Sequence, residues 1–126
     1  MKNLILAICL AVFVSGCIAP PTREQALSAD YGPPPGNMES LVRAHGVKVL
    51  KDGYSAQYRF VNQAERGWWR ANAYAPIVYG WGSCVFVNAK NSFGAYIGER
   101  MYMVLIKNDQ VVTMHEQLRC GETEFK

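Results

Sequence analysis

Histidine and closely spaced cysteine are scarce in this chain: two His and four Cys in 126 residues, with no CxxC pair. That argues against a zinc ribbon or finger, whose ligands come in tight pairs. Ser83 and Cys84 stand beside glycines in "GWGSCV", but the G-x-S-x-G elbow is missing and no histidine or acid is spaced to complete a triad. No glycine loop opens a helix to cradle phosphate, since Gly80-x-Gly82 runs on into β-forming residues. Glu122 and Glu124 lie close together only on a short charged tail, where solvation is the simpler reading than a glycosidase pair. With 13 Lys+Arg against 10 Asp+Glu the charge is nearly balanced, so a nucleic-acid partner is not expected. The sequence therefore predicts no enzyme, no metal and no cofactor.

A long apolar run is also lacking. Leu4 to Val14, "LILAICLAVFV", has 11 residues, against the roughly 20 that a membrane-crossing helix requires. Met1-Lys2-Asn3 before it and Ser15-Gly16 after it give the three-part pattern of an export leader, residues 1–16. A buried N-terminal helix is the alternative, but "APP" follows at once and no polar face is interleaved. The last leader residues with the next one, "VSGC", resemble the lipobox of bacterial lipoproteins. That resemblance implies cleavage before Cys17, acylation of its thiol, and a membrane partner reached through acyl chains. Each buried CH₂ contributes about 0.8 kcal/mol, so two or three chains hold a domain to a bilayer almost permanently.

With Cys9 in the leader and Cys17 lipidated, Cys84 and Cys120 are the pair left for the folded part. In an exported domain they are expected to form a disulfide; a metal pair is the rival, and neither histidine is near in sequence. The loop of 35 intervening residues would make the bridge worth about 3 to 4 kcal/mol in the chain-entropy account. Between Ile18 and Asn37 come five prolines and two glycines, which predicts a stiff tether over residues 17–37 that lifts the domain from the membrane. One helical turn is expected after Thr22, whose spacing to Gln25 suits a capping box.

Residues 38–126 are expected to form one domain of α+β class: an amphipathic helix on a four- to five-stranded antiparallel sheet. Asn37 is placed to cap the helix. Met38, Leu41, Val42, His45 and Val49 share its apolar face, with Asp52-Gly53 as the stop. Gly46 should cost that helix about 1 kcal/mol. His45 on that stripe reads as a packed residue sooner than a ligand. Period-two patterning then predicts strands at 54–61, 73–80, 81–88, 100–107 and 110–117, the last two joined by an Asn108-Asp109 hairpin turn. Pro76 marks its run as an edge or bulged strand.

Two stretches could recognise a partner. In "ERGWWRANAY", with a loop-like context, Arg66 and Arg70 flank Trp68 and Trp69, residue types common at binding hot spots; the simpler reading puts one tryptophan in the core and the other under arginine stems. "NAKNSFGAYIGER" reads as a shaped polar loop carrying Asn88, Lys90, Asn91, Ser92, Phe93 and Tyr96, with Gly94 and Gly98 for positive φ; a purely structural connection is the equal alternative.

The ordered set "ADYGPPP", "LKDGYSAQYRF", a cysteine, "VNAKNSFGAYIG" and "IKNDQVV", over about residues 29–112, resembles a family of small Gram-negative bacterial lipoproteins. A proline usually follows "LKD" in that family, where this chain has Gly53. The resemblance implies a lipid-anchored periplasmic domain and brings no catalytic residues. Ile18 and Ala19 after the cysteine, with no aspartate, look like an outer-membrane destination. The expected function is a non-enzymatic interaction module that meets an envelope protein or peptidoglycan. The alternative is an inhibitor or immunity lipoprotein acting against a wall-degrading enzyme, a toxin or a phage.

Overall fold

A computed structural model describes residues 19–119. The leader, Cys17, Ile18, Cys120 and the tail after it lie outside the described residues, so the lipid anchor and the Cys84–Cys120 bridge remain proposals.

Helix α1, Arg23–Ser28, starts at the expected box: Thr22 Oγ1 accepts from the Gln25 N–H at 3.2 Å and Gln25 Oε1 accepts from the Thr22 N–H at 2.8 Å. Helix α2, Met38–Val49, is capped by Asn37 Oδ1, which accepts from the Ser40 N–H at 3.0 Å. It ends at Leu50, which is extended, and Asp52-Gly53 falls in the turns that follow. The packed face is centred on Val42 and Gly46. Val49, expected there, is 55% exposed. Gly46 has a packing reason: a Cβ on it would meet the Tyr58 ring, with Cζ at 3.0 Å. The helix accepts a propensity cost so that an aromatic side chain can lie against its backbone.

The sheet is antiparallel, in the order β1-β3-β4-β5, with β2 also on β3. Its strands are β1 Gln57–Phe60, β2 Glu65–Trp69, β3 Val78–Lys90, β4 Tyr96–Lys107 and β5 Gln110–Glu116. At about 3.3 Å per residue β3 is some 40 Å long. That length lets two short strands share one of its edges: β2 pairs with Val78–Gly82 and β1 with Val85–Asn88. Asn62 bridges the gap between them, its Oδ1 accepting from Ser83 Oγ at 3.0 Å and from the Cys84 N–H at 3.4 Å. The two runs expected at 73–80 and 81–88 are thus one strand that begins only at Val78. The 54–61 run shortens to 57–60, because Asp52 O accepts from the Ser55 N–H and Oγ and holds residues 51–55 in turns. Residues 65–69, read as loop, are strand β2.

Val42, Ala56, Val85, Val87, Val104 and Ile106 form the core between α2 and one face of the sheet. Full burial of such aliphatic side chains contributes about 1.5–3 kcal/mol apiece. On the opposite face Cys84, Met103 and Leu105 are also buried. Leu105 lies against β3 where Gly80 and Gly82 leave room; its Cγ and Cδ1 are 3.3 and 3.9 Å from where their Cβ atoms would stand.

The described part of the expected tether is not free. Pro21 and Ala26 are buried, and Tyr31 is 6% exposed. Tyr31 Oη donates to Ala26 O at 2.8 Å, its ring meets Tyr79 edge-on at 5.6 Å, and Trp81 Nε1 donates to Gly32 O at 3.0 Å. Lys107 Nζ donates to Asp30 O at 2.8 Å, and Asp109 Oδ1 accepts from the Gly36 N–H at 3.3 Å. Proline and glycine spacing suggested a stalk, but the aromatic residue among them anchors the segment to the sheet.

Candidate functional site

The two candidate stretches lie at opposite ends of β3, about 30 Å apart from Trp81 to Lys90 by strand rise. They cannot form one site.

At the hairpin end, β3 and β4 close through Asn91–Ala95. Asn91 is the organiser: its Oδ1 accepts from the N–H groups of Phe93 at 2.9 Å and Ala95 at 3.1 Å, while its own N–H donates to Ala95 O at 2.8 Å. Gly94 takes φ +81, as a three-residue hairpin loop requires. Next to it the register shifts between Asn88 and Lys90. Gly98 takes φ +94 there, and its N–H donates to Asn88 Oδ1 at 3.0 Å. The loop expected over 88–100 is therefore mostly strand, with a short, well-bonded tip.

Four of the six residues singled out here are spent on shape. Asn88 and Asn91 bond backbone, Ser92 is bonded by Lys51 Nζ, and Tyr96 Oη donates to Ser55 O at 2.9 Å. Lys90 lies 3.9 Å from Asp52 with its Nζ 5.3 Å from the Tyr96 ring centroid. Phe93 is what this frame presents, 94% exposed. Tyr54, in the adjoining 51–55 turns, is nearly as exposed. Sequence reading missed Tyr54 and Lys51, because alternation drew Tyr54 into a strand; the "KDG" turn signal just before it was the available clue. Beyond the tip, Arg59 grips Glu99 through Nε at 3.0 Å and Nη2 at 2.7 Å over the Phe86 ring. The Arg59 hydrogen bonds, followed by its charge, hold the Glu99 carboxyl below its ordinary range.

The other end, where residues 21–36 dock, carries Arg66, Trp68, Trp69 and Arg70. Alternation along β2 puts Arg66 and Trp68 on the face of Trp81 and Tyr79, with Trp69 on the reverse. Both tryptophans are half-buried. The Arg66 guanidinium lies 5.2 Å from the Tyr31 ring centroid. Burial, with Tyr79 beside it, raises the Tyr31 pKa, against a lowering by Arg66. Trp68 thus shares the face onto which the Tyr31 segment docks, Trp69 lies on the other face, and Arg66 is the one of the four that reaches the docked segment, through the Tyr31 ring.

Ser83 is buried and its hydroxyl is engaged by Asn62. His45 is half-buried on α2; burial, then Lys48, lowers its pKa. An open cleft of about 760 Å³ runs between Pro34–Glu39 and Phe60–Ala64. Among the described residues no group of three or more His, Cys, Asp or Glu could hold a metal ion. Among them, too, no helix is long and apolar enough to cross a membrane.

Compared with protein-family models, with curated proteins and with solved structures, the chain gives no match.

Proposed function

We propose that this chain is a lipid-anchored outer-membrane lipoprotein whose periplasmic domain is a non-enzymatic binding module, with the β3–β4 hairpin as its contact surface. The lipobox-like "VSGC" and the resemblance to small Gram-negative lipoproteins support the anchor. The observation that carries the binding role is Phe93: an aromatic side chain 94% exposed on a tip whose backbone is already satisfied by Asn91. An exposed phenylalanine on a backbone already held by hydrogen bonds gains apolar burial on docking with only its side chain left to order. Its partner is an envelope protein or peptidoglycan. Crosslinking in intact cells tests this: Phe93→Ala and Tyr54→Ala should lose the captured component while the fold is kept. Undiminished capture by both variants would remove the hairpin as the site.

A second reading, inhibitor or immunity lipoprotein, draws on the same tip, since a narrow hairpin led by Phe93 has the form to enter an active-site cleft. Inhibition of muramidases by the purified domain, lost in Phe93→Ala, would favour it. No inhibition across several such enzymes would count against it, and phage exclusion would then be the remaining form to test.

A further inference from the structure

We infer that the docked end of the sheet lies against the lipid surface, with Arg66 and Arg70 meeting its phosphate headgroups and Tyr74 entering the interfacial layer. This rests on the proposed acylation of Cys17. Four residue steps separate Cys17 from the buried Pro21, and at roughly 3.3–3.6 Å per residue they reach no more than about 14 Å. A lipid on Cys17 therefore holds α1 and the sheet end beneath it close to the headgroups, with no long stalk between them.

The chemistry of that end suits such a neighbour. Among the described residues Arg43, Arg59, Arg100, Lys90 and Lys107 each have a carboxylate within ion-pair distance. Arg66 and Arg70 have none, as is also true of Arg23, Lys48, Lys51 and Arg119, and the buried Nε of Arg70 has no hydrogen-bond partner. Asp30 and Asp109 at this end are already engaged, by Lys107 and by the Gly36 N–H. The 70–77 segment leaves β2 at Trp69 and enters β3 at Val78, so it caps this same end. Its Tyr74 is 99% exposed, and Leu27 on the docked α1 is exposed as well. Arginine on phosphate and tyrosine at the headgroup level are the side chains that an interfacial contact selects. Unpaired arginine, an exposed tyrosine and short reach coincide at one end of the domain; at the hairpin end Arg59, Arg100 and Lys90 are ion-paired and Lys51 is hydrogen-bonded to Ser92, which leaves Lys48 and Arg119, among the described residues, as the cations without a partner there. The Phe93 tip accordingly points away from the membrane.

The test uses the lipoprotein extracted from envelopes and reconstituted into vesicles of phosphatidylethanolamine and phosphatidylglycerol that contain a headgroup-nitroxide lipid. A thiol-reactive fluorophore is placed on Tyr74→Cys or on Phe93→Cys, with the parent's background label subtracted. Quenching at position 74 should exceed that at position 93 several-fold, and Arg66→Glu with Arg70→Glu should reduce it. Equal quenching, or stronger quenching at 93, overturns the orientation; quenching at 74 that ignores the arginine changes overturns the headgroup contact. A chain whose intact mass lacks acyl groups and which stays off the vesicles overturns the lipoprotein reading and this inference together. An acylated, bound chain without the 74-over-93 difference overturns only this one.

Discussion

The two ends of the long β3 strand use the same kinds of residue for opposite purposes. At the docked end three aromatics are turned inward, Tyr31, Tyr79 and Trp81, which seal residues 26–36 onto the sheet, and Tyr74 of the capping segment alone is left fully outside. The hairpin end spends its polar side chains on making a rigid loop, and it leaves Phe93 and Tyr54 outside. Aromatic content alone does not mark a binding surface; what matters is whether the surrounding hydrogen bonds close over the ring or hold it out.

Tyr31→Ala should sharpen this contrast most. It removes a buried ring and its bond to Ala26 O, so urea unfolding should show a loss of about 3–5 kcal/mol, whereas Phe93→Ala should stay within about 0.5 kcal/mol of the parent. A Tyr31→Ala domain as stable as the parent would restore the free tether. Gly46→Ala comes next. A gain of about 1 kcal/mol in helix propensity is outweighed by displacement of the Tyr58 ring, for a net loss of about 1–2 kcal/mol. Tyr58→Phe removes a buried hydroxyl that has no hydrogen-bond partner, so adding it should recover part of that loss; strict additivity of the two would argue against the contact.

Asn91→Ala should loosen the hairpin locally by about 1 kcal/mol. Faster amide exchange at Phe93 and Ala95, with the docked end unaffected, is the expected pattern. Slower global unfolding of the variant, or unchanged exchange, would mean that Asn91 is not what holds the tip.

The smallest effect is a pH dependence. Because burial lowers His45 below its ordinary value near 6.5, the unfolded chain binds a proton first on acidification. The stability it contributes is complete above pH 6.5 and is lost as pH falls from there through the lowered folded value. His45→Gln should flatten the fall in Tm between pH 7 and 5; an equally steep fall would place its origin elsewhere.

Local signals carried much of this fold. Thr22 and Gln25 announced a capping box, Asn37 a helix cap, and Asn108-Asp109 a turn in which both residues take positive φ. Strand ends were less legible, because they depend on partners: "VYG" and "WGSCVFVN" look like two segments until β1 and β2 are seen to share one edge of a single strand. The docking of residues 26–36 was hidden for a similar reason. Prolines speak about local backbone, whereas the contacts of Tyr31 and Gly32 lie some fifty residues on, at Tyr79 and Trp81. Of the candidate residues, the motif placed Phe93 where it could act, but nothing local separates it from Trp68, which β2 pairing half-buries.

A photo-crosslinking side chain at position 93, compared in intact cells with one at Val112 on β5, tests the central claim most directly. The expected result is a discrete protein or wall adduct from position 93 that the Val112 position does not give. Identical adduct patterns from both positions, or an adduct at 93 made of lipid alone, would contradict it.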